Sequence, residues 1–133
     1  MTLYLDASAW LKLYLGEPGT GAVFDAMAEA DTIASCRHAQ AEVLAALLRA
    51  GAGGPVLADF DDLWSAVDSV EIEALLCESA AKLAARHGLG TLDALHLAAA
   101  RTIPGAATLA TWDRRLWDAA QAEGLKLLPA RRP

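Results

Sequence analysis

Apolar positions along the chain follow two rhythms. Five short runs are too brief for a buried helix and read as strands: TLYL (2–5), TIAS (32–35), VEIE (70–73), TLATW (108–112) and LKLL (125–128). Between them apolar residues recur at helical spacing. Helices are predicted over 7–15, 20–30, 37–49, 56–68, 74–87, 92–102 and 114–123. The clearest stripes are Val43, Leu44, Leu47 and Leu48 in the third, and Leu57, Phe60, Leu63, Trp64 and Val67 in the fourth. Gly and Pro punctuate them: GEPG (16–19), GAGGP (51–55), Gly88 as a helix C-terminal cap, Pro104-Gly105 and Gly124. Short apolar strands alternating with helices predict an α/β fold with a mostly parallel sheet. No repeat, low-complexity tract or interdomain linker interrupts the pattern, so one domain is expected over residues 1–133.

Composition narrows this picture. The chain is 55% hydrophobic, enough for a core without disulfides or structural metal. The apolar runs are broken by charge or glycine well short of spanning length, so no membrane segment is expected. No basic start leads into an apolar stretch and cleavage site, so no signal peptide is expected. Cys36 and Cys77 lack any metal-ligand spacing and read as free thiols of a reducing, cytoplasmic setting. With 11 basic and 17 acidic residues the net charge is −6, which argues against general nucleic-acid affinity. It leaves open an enzyme whose acids hold divalent cations, because bound metal reverses the local sign.

Ligand crevices of parallel sheets lie beyond the carboxyl ends of the strands. Asp6 and Asp113 directly follow the first and fourth predicted strands. Singly, each reads as a helix N-cap worth roughly 0.5–2 kcal/mol. Asp93 lies in the apolar segment GLGTLDALHLAAA, where a buried carboxylate needs a partner: His96, three residues on, or a metal. Glu42 falls away from the apolar stripe of its helix and by periodicity reads as a solvated acid or a helical pair with His38, although it is the only acid between Asp31 and Asp59. Four crowded carboxylates repel one another, and hard oxygen-seeking ions such as Mg²⁺ or Mn²⁺ relieve this. Two such ions support phosphodiester hydrolysis.

Four ordered segments, YLDASAWLKLY, RHAQAEVLAAL, GLGTLDALHLAAA and LATWDRRLWDAAQAEG, span almost the whole chain and resemble PIN-domain proteins, specifically the VapC toxins of toxin–antitoxin pairs. The resemblance implies a three-layer α/β/α sandwich around a parallel sheet and a metal-dependent ribonuclease. It maps the family's acidic residues onto Asp6, Glu42, Asp93 and Asp113, as Mg²⁺ or Mn²⁺ ligands and catalytic groups. Ser8 and Thr111 fall where the family often has hydroxyls, which implies a supporting role around the metal; N-capping or strand chemistry is the equal alternative at both. Implied with it are an RNA substrate cut to 5′-phosphate and 3′-hydroxyl ends, an antitoxin partner and a homodimer.

Other readings compete with this one. A binding module whose partner fills the acid pocket would leave RNA intact, and similar folds also cut structured DNA. Dehalogenase-like hydrolases want a second Asp where Ser8 stands, and a receiver domain wants paired acids after the first strand. Arg114, Arg115, Lys12 and Arg86 read as exposed helix charges, and Arg131 and Arg132 as a solvated tail. Trp10, Trp64, Trp112 and Trp117 read as packing residues. His38, His87 and His96 show no metal-ligand spacing.

Overall fold

The computed structural model describes residues 1–133. Its elements, in chain order, are β1 (Thr2–Leu5), α1 (Ala7–Lys12), α2 (Thr20–Glu29), β2 (Thr32–Cys36), α3 (Arg37–Arg49), α4 (Gly54–Ser65), β3 (Asp68–Val70), α5 (Ala74–His87), α6 (Thr91–Thr102), β4 (Thr108–Ala110), α7 (Arg114–Ala122) and β5 (Lys126–Leu128). The strands form one sheet in the order β3-β2-β1-β4-β5. All four pairings are parallel. β1 sits in the middle, with Leu3 beside Ile33 on one side and Thr108 on the other.

A parallel strand covered on both faces needs apolar side chains in both directions. TLYL supplies them. Tyr4 joins Ala34, Cys36 and Leu109 in a core built with α5, α6 and α7. Leu3 and Leu5 point the other way, into a core with Trp10, Val23, Val43, Leu47, Phe60 and Trp64 from α1 to α4. The result is the expected α/β/α sandwich.

The chain runs outward from β1 through β2 to β3, then returns to place β4 on the opposite side of β1. The switch point between β1 and β4 therefore opens at the carboxyl ends of both strands. Asp6 follows one strand there, and Thr111 to Asp113 follow the other. This is the crevice position for a parallel α/β sheet.

Several boundaries differ from the sequence pattern. The third strand is Asp68–Val70, registered on Ala34 to Cys36, and ends where VEIE was expected to begin. Glu71 leaves the sheet to take hydrogen bonds from Arg37 Nε and the Ser69 hydroxyl. Helix α1 ends at Lys12 instead of Leu15, and the fourth strand ends at Ala110 instead of Trp112. Helix α4 starts two residues early, with Pro55 in its first turn, and stops at Ser65. Lys12 is not an exposed helix charge: it is buried, paired with Glu17 at 2.7 Å, and lies 5.5 Å over the Trp112 ring. Trp112 also explains Gly19, whose φ is +103° and where a Cβ would lie 2.7 Å from the indole.

Candidate metal centre

Asp6 caps α1 and is also the buried floor of the crevice. Its Oδ1 accepts hydrogen bonds from the Ala9 amide at 2.9 Å and the Ser8 hydroxyl at 2.6 Å. Its Oδ2 accepts from the Thr111 hydroxyl at 2.5 Å. Burial pushes the carboxyl above its ordinary range, while His96 and these three donors pull against it. Capping and site-building are thus one geometry here.

The two hydroxyls tie the switch point together. Ser8 Oγ accepts from the Trp112 amide at 2.8 Å, and Thr111 Oγ1 accepts from the Asp113 amide at 3.1 Å. Each hydroxyl therefore bridges the Asp6 carboxylate to the backbone leaving β4. Asp113 caps α7, its Oδ1 accepting from the Leu116 amide at 2.9 Å.

Asp93 stands in the first turn of α6, half-buried, and its carboxylate takes no hydrogen bond or ion pair from the protein. Its pKa is raised to about 6, first by burial, then by the carboxylates of Asp113, Asp6 and Glu42, with His96 opposing. The four acids thus share one electrostatic environment although they come from four separate segments. His96 is not the hydrogen-bond partner that Asp93 needs. Its Nε2 lies 2.7 Å from Glu42 Oε1 and its Nδ1 2.8 Å from the Tyr4 hydroxyl. A carboxylate only accepts, so Nε2 carries the hydrogen, and in the neutral ring Nδ1 accepts from Tyr4.

Glu42 is half-buried on α3. Burial pushes its pKa up, but the His96 hydrogen bond and the charges of His96 and His38 outweigh it, so the group lies below its ordinary value. His38, one turn before Glu42, has Nε2 at 3.5 Å from the same Oε1 and at 2.9 Å from the Leu92 carbonyl. The His38 and His96 rings lie 4.1 Å apart.

All four predicted acids, Ser8 and Thr111 therefore meet at one end of the sheet. Their carboxylates are not closed into a tight cage: the one group of three ligand atoms within 4.8 Å of one another is His38, Glu42 and His96. None of the four acids lines an enclosed pocket, and the largest cavity, about 440 Å³, is elsewhere, beside Val70 and Leu76. The sequence pattern paired His38 with Glu42 and offered His96 to Asp93 but gave neither histidine a place in the site, and it did not single out Tyr4. The available signals were the i, i+4 spacing of His38 and Glu42, and the placing of His96 one turn beyond Asp93 on an apolar helix.

The donor set fits a hard divalent ion: oxygen ligands, an excess of negative charge, and one carboxylate without a protein partner. The PIN domain family model matches residues 3–122. Two Mycobacterium tuberculosis proteins, Ribonuclease VapC45 and Ribonuclease VapC49, are each 36% identical over 96% of this chain and 95% of their own. The crystal structure of M. tuberculosis VapC20, a sarcin-ricin loop cleaving toxin, superposes with a TM-score of 0.73 at 23% identity, over 98% of this chain and 99% of that one. VapBC2 from Rickettsia felis, bound to a promoter DNA fragment, gives 0.68 at 17% identity over 96% and 97%. The sheet order, the acid-lined switch point and these matches agree: the chain belongs to the PIN-domain family and is VapC-like within it.

Proposed function

We propose that this protein is an endoribonuclease that hydrolyses RNA phosphodiesters with Mg²⁺ or Mn²⁺, and that it is the toxin of a toxin–antitoxin pair. The observation that carries the reading is Asp93: a half-buried carboxylate raised to about 6 by burial and three neighbouring acids, with no protein partner. Asp6, Asp93 and Asp113 hold the metal, with Glu42 as a ligand or proton acceptor. When bound, the ion supplies water activation and charge stabilisation at the leaving oxygen.

The protein's own groups do the rest. The Ala9 amide and Ser8 hydroxyl occupy Oδ1 of Asp6 and the Thr111 hydroxyl holds Oδ2, so the one remaining lone pair, on Oδ2, faces a fixed direction. His96 engages Glu42 at Oε1, which leaves Oε2 to take a proton from the attacking water. Water, not the 2′-hydroxyl, is the nucleophile, and the products carry 5′-phosphate and 3′-hydroxyl ends.

Partners follow from the same site. An acid-lined crevice on a chain of net charge −6 suits a basic side chain from an antitoxin. Two VapC relatives and a structural neighbour that is a Klebsiella pneumoniae toxin–antitoxin complex, TM-score 0.68 at 17% identity, support that pairing. Exposed Leu48, Leu75, Leu92 and Phe24 are consistent with a homodimer. No helix is long and apolar enough to cross a membrane. Free Cys36 and Cys77 suit the cytoplasm.

The test is incubation of the purified, partner-free protein with total RNA, with Mn²⁺ or Mg²⁺ and then with chelator, beside Asp93→Ala. Discrete metal-dependent cuts that vanish in the variant are expected. A 2′,3′-cyclic phosphate at the cut would remove the hydrolytic mechanism. Intact RNA from folded protein would favour the partner-binding module.

A further inference from the structure

Three ligand groups converge beside the acid crevice without a role in the nuclease reading that uses all of them. Nε2 of His96 and Nε2 of His38 both aim at Oε1 of Glu42, at 2.7 and 3.5 Å. The three ligand atoms lie within 4.8 Å of one another. Two imidazoles and one carboxylate form a donor set that hard ions do not seek but zinc does. We infer that His38, Glu42 and His96 form a second cation site, selective for Zn²⁺ or another imidazole-binding divalent ion, whose occupation withdraws Glu42 from the nuclease centre and inhibits it.

The geometry is close to what such an ion requires. Ligand atoms about 2.1 Å from a tetrahedral ion stand about 3.4 Å apart. The His38–Glu42 separation of 3.5 Å already matches, and the His96–Glu42 contact of 2.7 Å has to open by about 0.7 Å. Glu42 and His38 are one turn apart on α3, so a single helix turn presents two of the ligands. Histidines that bind metal nearly always fix their other nitrogen on a hydrogen-bonding partner. For His96 that partner is already present: on binding, Nε2 loses its proton, Nδ1 gains one, and Nδ1 then donates to the Tyr4 oxygen at 2.8 Å. His38 is held more lightly. Its Nδ1 is buried without a partner, and its Nε2, which faces Glu42 at 3.5 Å, donates its one hydrogen bond to the Leu92 carbonyl and gives that bond up for the ion. Three protein ligands leave the fourth position to water.

Inhibition follows because one carboxylate serves both centres. This arm rests on the nuclease reading; the binding arm does not. The first experiment is therefore calorimetric titration of Zn²⁺ into the full chain in excess Mg²⁺, with no RNA present. One site is expected in the wild type, weakened at least tenfold in His38→Ala and unchanged in Cys77→Ser. His38→Gln serves the same purpose if the alanine variant loses structure by circular dichroism. Co²⁺ in place of Zn²⁺ is expected to give tetrahedral visible absorption that both His38 variants lose. Zinc affinity equal in folded His38 variants and wild type, or no zinc binding at all, overturns the site. In the RNA assay His38→Ala is expected to keep Mg²⁺-dependent cleavage while needing at least tenfold more zinc for half inhibition. Zinc that binds through His38 without slowing cleavage overturns the inhibitory role.

Discussion

Thr111 is the residue on which the crevice geometry turns. One hydroxyl donates to buried Asp6 and accepts from the Asp113 amide, so it sets two acids at once. Thr111→Val keeps the shape and removes both bonds. It is expected to destabilise the fold by about 1–3 kcal/mol, because a buried carboxylate and a backbone amide each lose a partner. Metal affinity should fall with it, and Thr111→Ser should restore both. Urea denaturation and Mn²⁺ titration of the two variants check this. Asp93 gives a pH prediction. Its pKa in the folded, metal-free chain is about 6 against an ordinary 3.8. Below about pH 4 the group is protonated in both states and costs nothing. Between about pH 4 and 6 the unfolded chain releases the proton that the folded chain keeps, so metal-free stability falls as pH rises. Above about pH 6 the cost is complete, and there a divalent ion relieves it. The Mg²⁺-induced rise in melting temperature should therefore be larger at pH 7.5 than at pH 5. Asp93→Asn should raise metal-free stability at pH 7.5 and abolish most of the Mg²⁺ effect.

Among the elements, α1 and α4 carry the largest apolar side chains of their core. Phe60 of α4 meets Trp10 of α1 edge-on at 5.3 Å and Tyr14 at 6.1 Å. It is fully buried, and Phe60→Ala is expected to cost about 3–5 kcal/mol, read from the urea midpoint at unchanged slope. Helix α4 was legible as pattern, because a 3.6-residue stripe of Leu57, Phe60, Leu63 and Trp64 has few other solutions; that it packs on α1 was not. The short elements were less so. VEIE alternates as an edge strand would, yet Ile72 is exposed and Glu71 turns to Arg37, so the strand stops at Val70. On an edge strand of three residues, one ion pair across to α3 competes on equal terms with another ladder step. Asp6 and Asp113 were legible both as caps and as site acids because both descriptions hold. Glu42 was not legible from its helix, since its partner His96 lies 54 residues away.

For the whole molecule, the strand order matters more than any single motif. Placing β4 beside β1 opens the crevice between Asp6 and Asp113, and α3 and α6 bring Glu42 and Asp93 to its rim. With net charge −6, the chain has little bulk attraction for phosphates. RNA affinity is therefore expected to fall with a shallow slope in log salt, reflecting few displaced counterions, in filter-binding measurements across a salt series. A steep slope would mean that a basic surface, not the metal centre, holds the RNA.

By itself the sequence determined the alternation of buried strands and amphipathic helices, the α/β class, and an acid after each of the two strands that flank the crevice. Those are local properties, written in spacing and in the chemistry of strand ends. Only the tertiary structure decided which acids share a field, that Asp93 has no hydrogen-bond partner while His96 serves Glu42 and Tyr4, and that His38 joins them. Burial, the distance between residues remote in sequence and the direction of a ring nitrogen belong to the packed chain, and the chemistry at the crevice depends on all three.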